Sequence, residues 1–171
     1  TALDRDREKA SLPCRYRGSP YRLTPSRIDP PRLGKTVSLR RALATSNNQC
    51  FAQLAVHAVG GNALVSAISD FGWLRAPAPA HAPGRVEEAS GRYELGRLGC
   101  GLAGSRITPL HAAQLAMLLA HGERIEPRWI ERVVDAEGRE LPIPATEAPR
   151  QVISPELAAE LRSMLVDTTE K

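Results

Sequence analysis

Aromatic residues make up only 4% of the 171-residue chain, so its core has to be built from Ala, Leu, Ile and Val, a palette that favours packed helices. No apolar run approaches the roughly 18 to 20 residues of a membrane span, and Thr1 to Ala10 are charged rather than signal-like. Cysteines are few and odd in number. Cys14, Cys50 and Cys100 show no CxxC spacing, which argues against a zinc site or a complete disulfide framework. One pair could bridge in an oxidising compartment, but Cys50 sits in an apolar helical pattern and reads as a small buried hydrophobe. Basic residues exceed acidic ones, giving a net charge of +4. The arginines are scattered from Arg5 to Arg162 without a stripe or interleaved aromatics, which argues against nucleic-acid binding.

What is present is 42% hydrophobic and 25% charged, enough for one domain with one core. Residues 1–37 carry Pro13, Pro20, Pro25, Pro30 and Pro31 with little periodicity and are expected to be loop or extended chain, a coil-rich lead-in. Residues 38–171 are expected to be helical. Ser38 caps a short helix through Ala44. A second helix carries Phe51, Leu54, Ala55 and Ala58 on one face and stops at Gly60-Gly61. A third, from about Asn62 to Phe71, ends at Gly72 as a left-handed cap.

Pro77, Pro79 and Pro83 mark Leu74 to Gly91 as a long surface loop, and Gly96 to Gly104 reads as a glycine-rich turn. Thr108 then caps, and Pro109 opens, a nearly all-apolar helix. Trp129 to Val134, Asp135-Ala136-Glu137-Gly138 and Leu141 to Ile143 suggest a hairpin near 129–143, and Ser154-Pro155 starts a final amphipathic helix. The sum is five helices and one hairpin.

Three motifs fail for want of context. Gly34-Lys35-Thr36 resembles the end of a phosphate loop, but Asp29 stands where the first glycine belongs, and Pro30 and Pro31 remove two amide donors. Gly99-Cys100-Gly101-Leu102-Ala103-Gly104 matches GxGxxG without the preceding strand, so a structural turn is the better reading. His57, His81, His111 and His121 form no HxxxH pair; His111, on the apolar helix, reads as a core or boundary residue. No metal ligand set and no cofactor is expected.

Thr45-Ser46-Asn47-Asn48 before an apolar helix is, alone, a common capping sequence. Its flanks make it more specific. The stretch from Val37 to Ala55, reading VSLRRALATSNNQCFAQLA, resembles the segment around the SxN motif of penicillin-binding protein transpeptidases. There a helix of the form SLxxALAxS leads into SxN and then into xxFAxLA. Further matches follow in order: Val59-Gly60, Phe71-Gly72, Ile107 to Ala113 resembling TPLQxA, Ala120-His121-Gly122 with Pro127, and Ile153-Ser154-Pro155 with Leu161 to Leu165. The resemblance covers about residues 10–170.

That resemblance implies a mainly α fold, the helical subdomain of the penicillin-binding transpeptidase and serine β-lactamase-like fold, with a small β-hairpin. The central five-stranded sheet is expected to be mostly absent. It implies serine acyl transfer on D-Ala-D-Ala peptides, with the peptidoglycan stem peptide and β-lactams as partners of the complete domain. Ser46 would relay a proton between a lysine and the leaving nitrogen, and Asn48 would hold the substrate carbonyl and that lysine. Asn47, the variable middle position, is given no chemistry.

Two of the family's three motifs are missing. The lysines Lys9, Lys35 and Lys171 are preceded at the SxxK spacing by Asp6, Arg32 and Thr168, and Lys35-Thr36-Val37 is neither KTG nor downstream of SxN. The expectation is therefore a fragment, inactive alone, of a parent acting on the extracytoplasmic side and meeting a membrane only through other parts of its chain. The alternative is a noncatalytic helical interaction module derived from the same fold.

Overall fold

The computed structural model describes residues 2–5, 7–128, 130–143 and 145–169. Two short helices, α1 (Ala2–Arg5) and α2 (Arg7–Ser11), precede strand β1 (Cys14–Tyr16). After a single 3-10 turn at Pro25–Arg27, β2 (Lys35–Val37) returns antiparallel to β1 with Cys14 opposite Val37 and Tyr16 opposite Lys35. Residues 1–37 are thus not only loop and extended chain. Their strands are three residues long, too short for alternation to show in sequence, and they pair across an intervening excursion that carries no local signal.

The helices of the middle segment follow the expected order. Ser38 Oγ accepts from the Arg41 amide at 3.2 Å and caps α3 (Leu39–Ala44). Helix α4 (Asn48–Leu54) continues as one π-helical turn through Ala55–Val59 and stops at Gly60, and α5 (Gly61–Asp70) follows. Gly72, with φ 86°, closes that helix in the left-handed region.

The segment from Leu74 to Gly91 is mainly irregular, but Pro77 and Ala78 are buried and β3 (Arg85–Val86) pairs with β4 (Ser105–Arg106). Between those strands lies a helix that the glycine pattern concealed, α6 (Arg92–Gly99). Gly96 and Gly99 are not breakers here; they let α6 approach α4. A Cβ on Gly96 would lie 3.1 Å from that of Ala52, and one on Gly99 would overlap Ala55.

A Gly-to-Ala change in an exposed helix stabilises by about 1 kcal/mol, whereas overpacking costs about 1–3 kcal/mol. Gly99→Ala is therefore expected to lower stability in chemical denaturation. A stabilised Gly99→Ala variant would mean that α4 and α6 do not touch there.

Helix α7 (Pro109–His121) has its expected cap: Thr108 Oγ1 accepts from the His111 amide, and His111 Nδ1 accepts from the Thr108 amide. It ends at Gly122, whose carbonyl accepts from both Val152 and Ile153 amides. Strand β5 (Glu123–Arg124) follows. The hairpin is β6 (Val133–Val134) and β7 (Glu140–Leu141), its turn held by Asp135 Oδ1 accepting from the Glu137 and Arg139 amides. Trp129, the expected first residue of that hairpin, lies outside the described residues. Strand β8 (Arg150–Gln151) pairs with β5, and Ser154 caps the last helix, α8 (Pro155–Val166).

Among the described residues, then, the sheet content is four two-stranded ladders rather than one hairpin, and the helices outnumber the expected five. Leu118, Ile153, Leu157 and Ala158 form the core between α7 and α8, with Leu3, Phe71 and Leu161 against it. Arg40 ties α3 to α8 by donating to Asp167, Ser163 Oγ and the Ser163 carbonyl. The α3 end of the connection from α3 to α4 is thereby anchored on α8.

Candidate functional site

Thr45 ends α3. Its amide and hydroxyl both donate to the Arg41 carbonyl, and the next two amides turn back on the same helix, Ser46 to Leu43 O at 3.0 Å and Asn47 to Ala42 O at 2.8 Å. This reversal forces Ser46 to φ 50°, the left-handed region that costs a residue with a side chain about 1–2 kcal/mol. Ser46 is exposed, and its hydroxyl has no hydrogen-bond partner among the described residues.

Asn47 is 0% exposed. Its Oδ1 accepts from the Cys50 amide at 3.3 Å, so the capping role belongs to this middle residue, while its Nδ2 is buried with no partner among the described residues. Asn48 opens α4, and its Nδ2 donates to the Tyr21 carbonyl at 2.9 Å. The two predicted site residues therefore flank a buried cap, one exposed and one half-buried.

Sequence reasoning missed what stands beside them. Cys14 and Cys50 form a disulfide across 36 residues, which corrects the reading of Cys50 as a simple buried hydrophobe. Cys50 is indeed buried, but its sulfur is bonded to the lead-in. Gln49 and Gln53 belong to the same contact. Gln49 Nε2 donates to the carbonyls of Arg17 and Ser19, and Gln53 Nε2 donates to that of Arg15. Nothing local marks these glutamines, because a bond from a side chain to a distant backbone leaves no periodicity.

The other candidates take structural parts. Lys35 and Thr36 lie in β2, not in a loop feeding a helix, and Gly99 is the last residue of α6, after which the chain turns through Gly101 and Gly104 with φ 74° and 83°. His111 is a satisfied core residue, 1% exposed, with Nε2 2.9 Å from the Arg75 carbonyl. His57 pairs at 3.0 Å with Asp29, which Arg92 also holds. Burial pushes the Cys100 thiol up from its ordinary pKa, against the thiolate form that a nucleophile needs. Among the described residues no group of three or more His, Cys, Asp or Glu is placed to hold a metal ion.

Residues 2–171 match the family model of the penicillin binding protein transpeptidase domain. The chain belongs to that family. Peptidoglycan D,D-transpeptidase PbpA of Mycolicibacterium smegmatis is 31% identical over 138 residues, which are 78% of this chain and 28% of that protein. The crystal structure of PBPA from Mycobacterium tuberculosis superimposes with a TM-score of 0.69 at 27% identity, covering 79% of this chain and 31% of the other. The penicillin G acyl-enzyme complex of the same protein gives 0.70 at 26% identity, covering 94% and 38%. The chain thus spans only about a third of the length of these relatives. Its architecture is the helix-dominated part of a penicillin-binding transpeptidase domain, as the ordered motif matches implied.

Proposed function

We propose that this chain supplies the SxN wall of the active site of a peptidoglycan D,D-transpeptidase that acts outside the cytoplasm and is acylated by β-lactams. The observation that carries the proposal is Ser46: an exposed hydroxyl with no partner among the described residues, on a residue held in a strained backbone conformation, two residues before Asn48, in a chain of the transpeptidase family. Strain of this kind persists where the surrounding structure over-determines it, and it clusters at functional sites. The Cys14–Cys50 disulfide suits an oxidising compartment.

In the reaction, the nucleophilic serine of an SxxK motif attacks the penultimate D-Ala carbonyl, and its proton passes to the neighbouring lysine. The carbon–nitrogen bond then breaks, and Ser46 Oγ relays that proton to the departing D-Ala amine. The acyl group passes next to an acceptor amine or to water. Asn48 holds the substrate carbonyl in line and accepts from the lysine ammonium. Since no serine precedes a lysine at the required spacing in these 171 residues, the nucleophile and the KTG strand are proposed to come from the rest of a longer chain. Within it, residues 1–37 are the lead-in and 38–171 the helical subdomain with its hairpin.

Fluorescent penicillin tests this directly. The 171 residues alone are expected to show no covalent label by intact mass, and a chain extended to the length of its relatives is expected to label stoichiometrically. An adduct on the short chain would displace the proposed nucleophile. An unlabelled long chain would favour a noncatalytic helical module.

A further inference from the structure

The carbonyls of Arg15, Arg17, Ser19 and Tyr21, every second residue of the segment after Cys14, all accept hydrogen bonds from side-chain amides of α4. Gln53 takes the first, Gln49 the second and third, and Asn48 the last. Gln49 also accepts from the Arg17 amide at 3.4 Å, so its side chain both donates to and accepts from one residue, as a neighbouring strand would. Gln49 is 0% exposed and is adjacent in sequence to Asn48. Residues 15–21 are therefore a strap laid along α4, and its far end is the carbonyl that orients the Asn48 amide.

We infer that Gln49 is a positioning residue for Asn48: by holding the strap it fixes the Tyr21 carbonyl, which holds one Asn48 N–H. Among the described residues that leaves the second N–H and Oδ1 of Asn48 without a partner, one for the substrate carbonyl and one for the lysine ammonium of the proposed reaction. The inference rests on the reading of Ser46 and Asn48 as site residues only for its catalytic consequence; the orientation of Asn48 stands on the hydrogen bonds themselves. Without Gln49, Arg17 and Ser19 lose their donors, the strap lifts, and Asn48 loses the acceptor that sets which end of its amide faces outward.

Gln49→Met keeps the length of the side chain and removes its bonds. Gln53→Met does the same one turn further from Asn48 and controls for a lost buried amide. Both are made in the complete transpeptidase chain, selectively isotope-labelled at asparagine. The side-chain amide resonance of Asn48, assigned by its loss in Asn48→Ala, is expected to shift in Gln49→Met and to hold in Gln53→Met. The second-order rate of acylation by penicillin is expected to fall about tenfold to a hundredfold in Gln49→Met, in keeping with misplacement of a catalytic group by about 1 Å, and to change less than threefold in Gln53→Met. An unmoved Asn48 resonance in Gln49→Met overturns the inference, as do equal changes in the two variants. Should the wild-type chain itself fail to acylate, the proposed activity falls, and the resonance alone decides the positioning role.

Discussion

Ser46→Gly is expected to leave the fold as stable as before, or slightly more so, while abolishing most of the acylation of the complete domain. Two terms set the stability. A residue with a Cβ at φ 50° costs about 1–2 kcal/mol, and glycine relieves it. Against this, glycine enlarges the unfolded ensemble by about 0.5–1 kcal/mol. The net lies between zero and about 1.5 kcal/mol in favour of the variant, read from urea unfolding. Loss of a proton relay costs about a hundredfold to ten-thousandfold in rate, read from acylation by a fluorescent penicillin. Ser46→Ala should lose the same activity without the stability gain, since alanine keeps the strained conformation. An active Ser46→Gly enzyme would remove Ser46 from the chemistry.

Replacing both Cys14 and Cys50 by alanine is expected to cost about 4 kcal/mol, the loop-closure entropy of cross-linking residues 36 apart. That is a large share of the roughly 5–15 kcal/mol by which domains are stable. The urea midpoint should fall and the slope of the transition rise, because an uncrosslinked chain exposes more surface when it unfolds. Adding reductant to the wild-type chain should reproduce the effect. A loss below about 1 kcal/mol would mean that the glutamine clamps alone hold the lead-in and that the unfolded chain is already compact there.

The legible parts of the fold were those whose cause is local. Thr108-Pro109 and Ser154-Pro155 each carry a cap and a first-turn proline, and both open helices as expected. Helix α6 was illegible because Gly96 and Gly99 answer to α4, a partner distant in sequence, and glycine chosen for close approach looks the same as glycine chosen for a turn. The three ladders other than the β6–β7 hairpin, and the Cys14–Cys50 bond, were hidden for the same reason, since their partners lie far along the chain. Ser46 and Asn48, the proposed site residues, could be picked out by the order of motif matches around them. The left-handed conformation of Ser46 could not, because it arises from two amides bonding back onto α3, a geometry that no residue type announces.

The burial of Asn47 gives the spacing of the motif a mechanical sense. Driven into the protein like a peg, with its Oδ1 engaged by the Cys50 amide, it turns the residues on either side away from the interior. Ser46 and Asn48 then stand as the two tines of one fork, and where they stand against the interior is set by the stem rather than by either tine. A side chain of different size at position 47 is expected to displace both together, so the residue given no part in the proposed chemistry sets the position of its two neighbours.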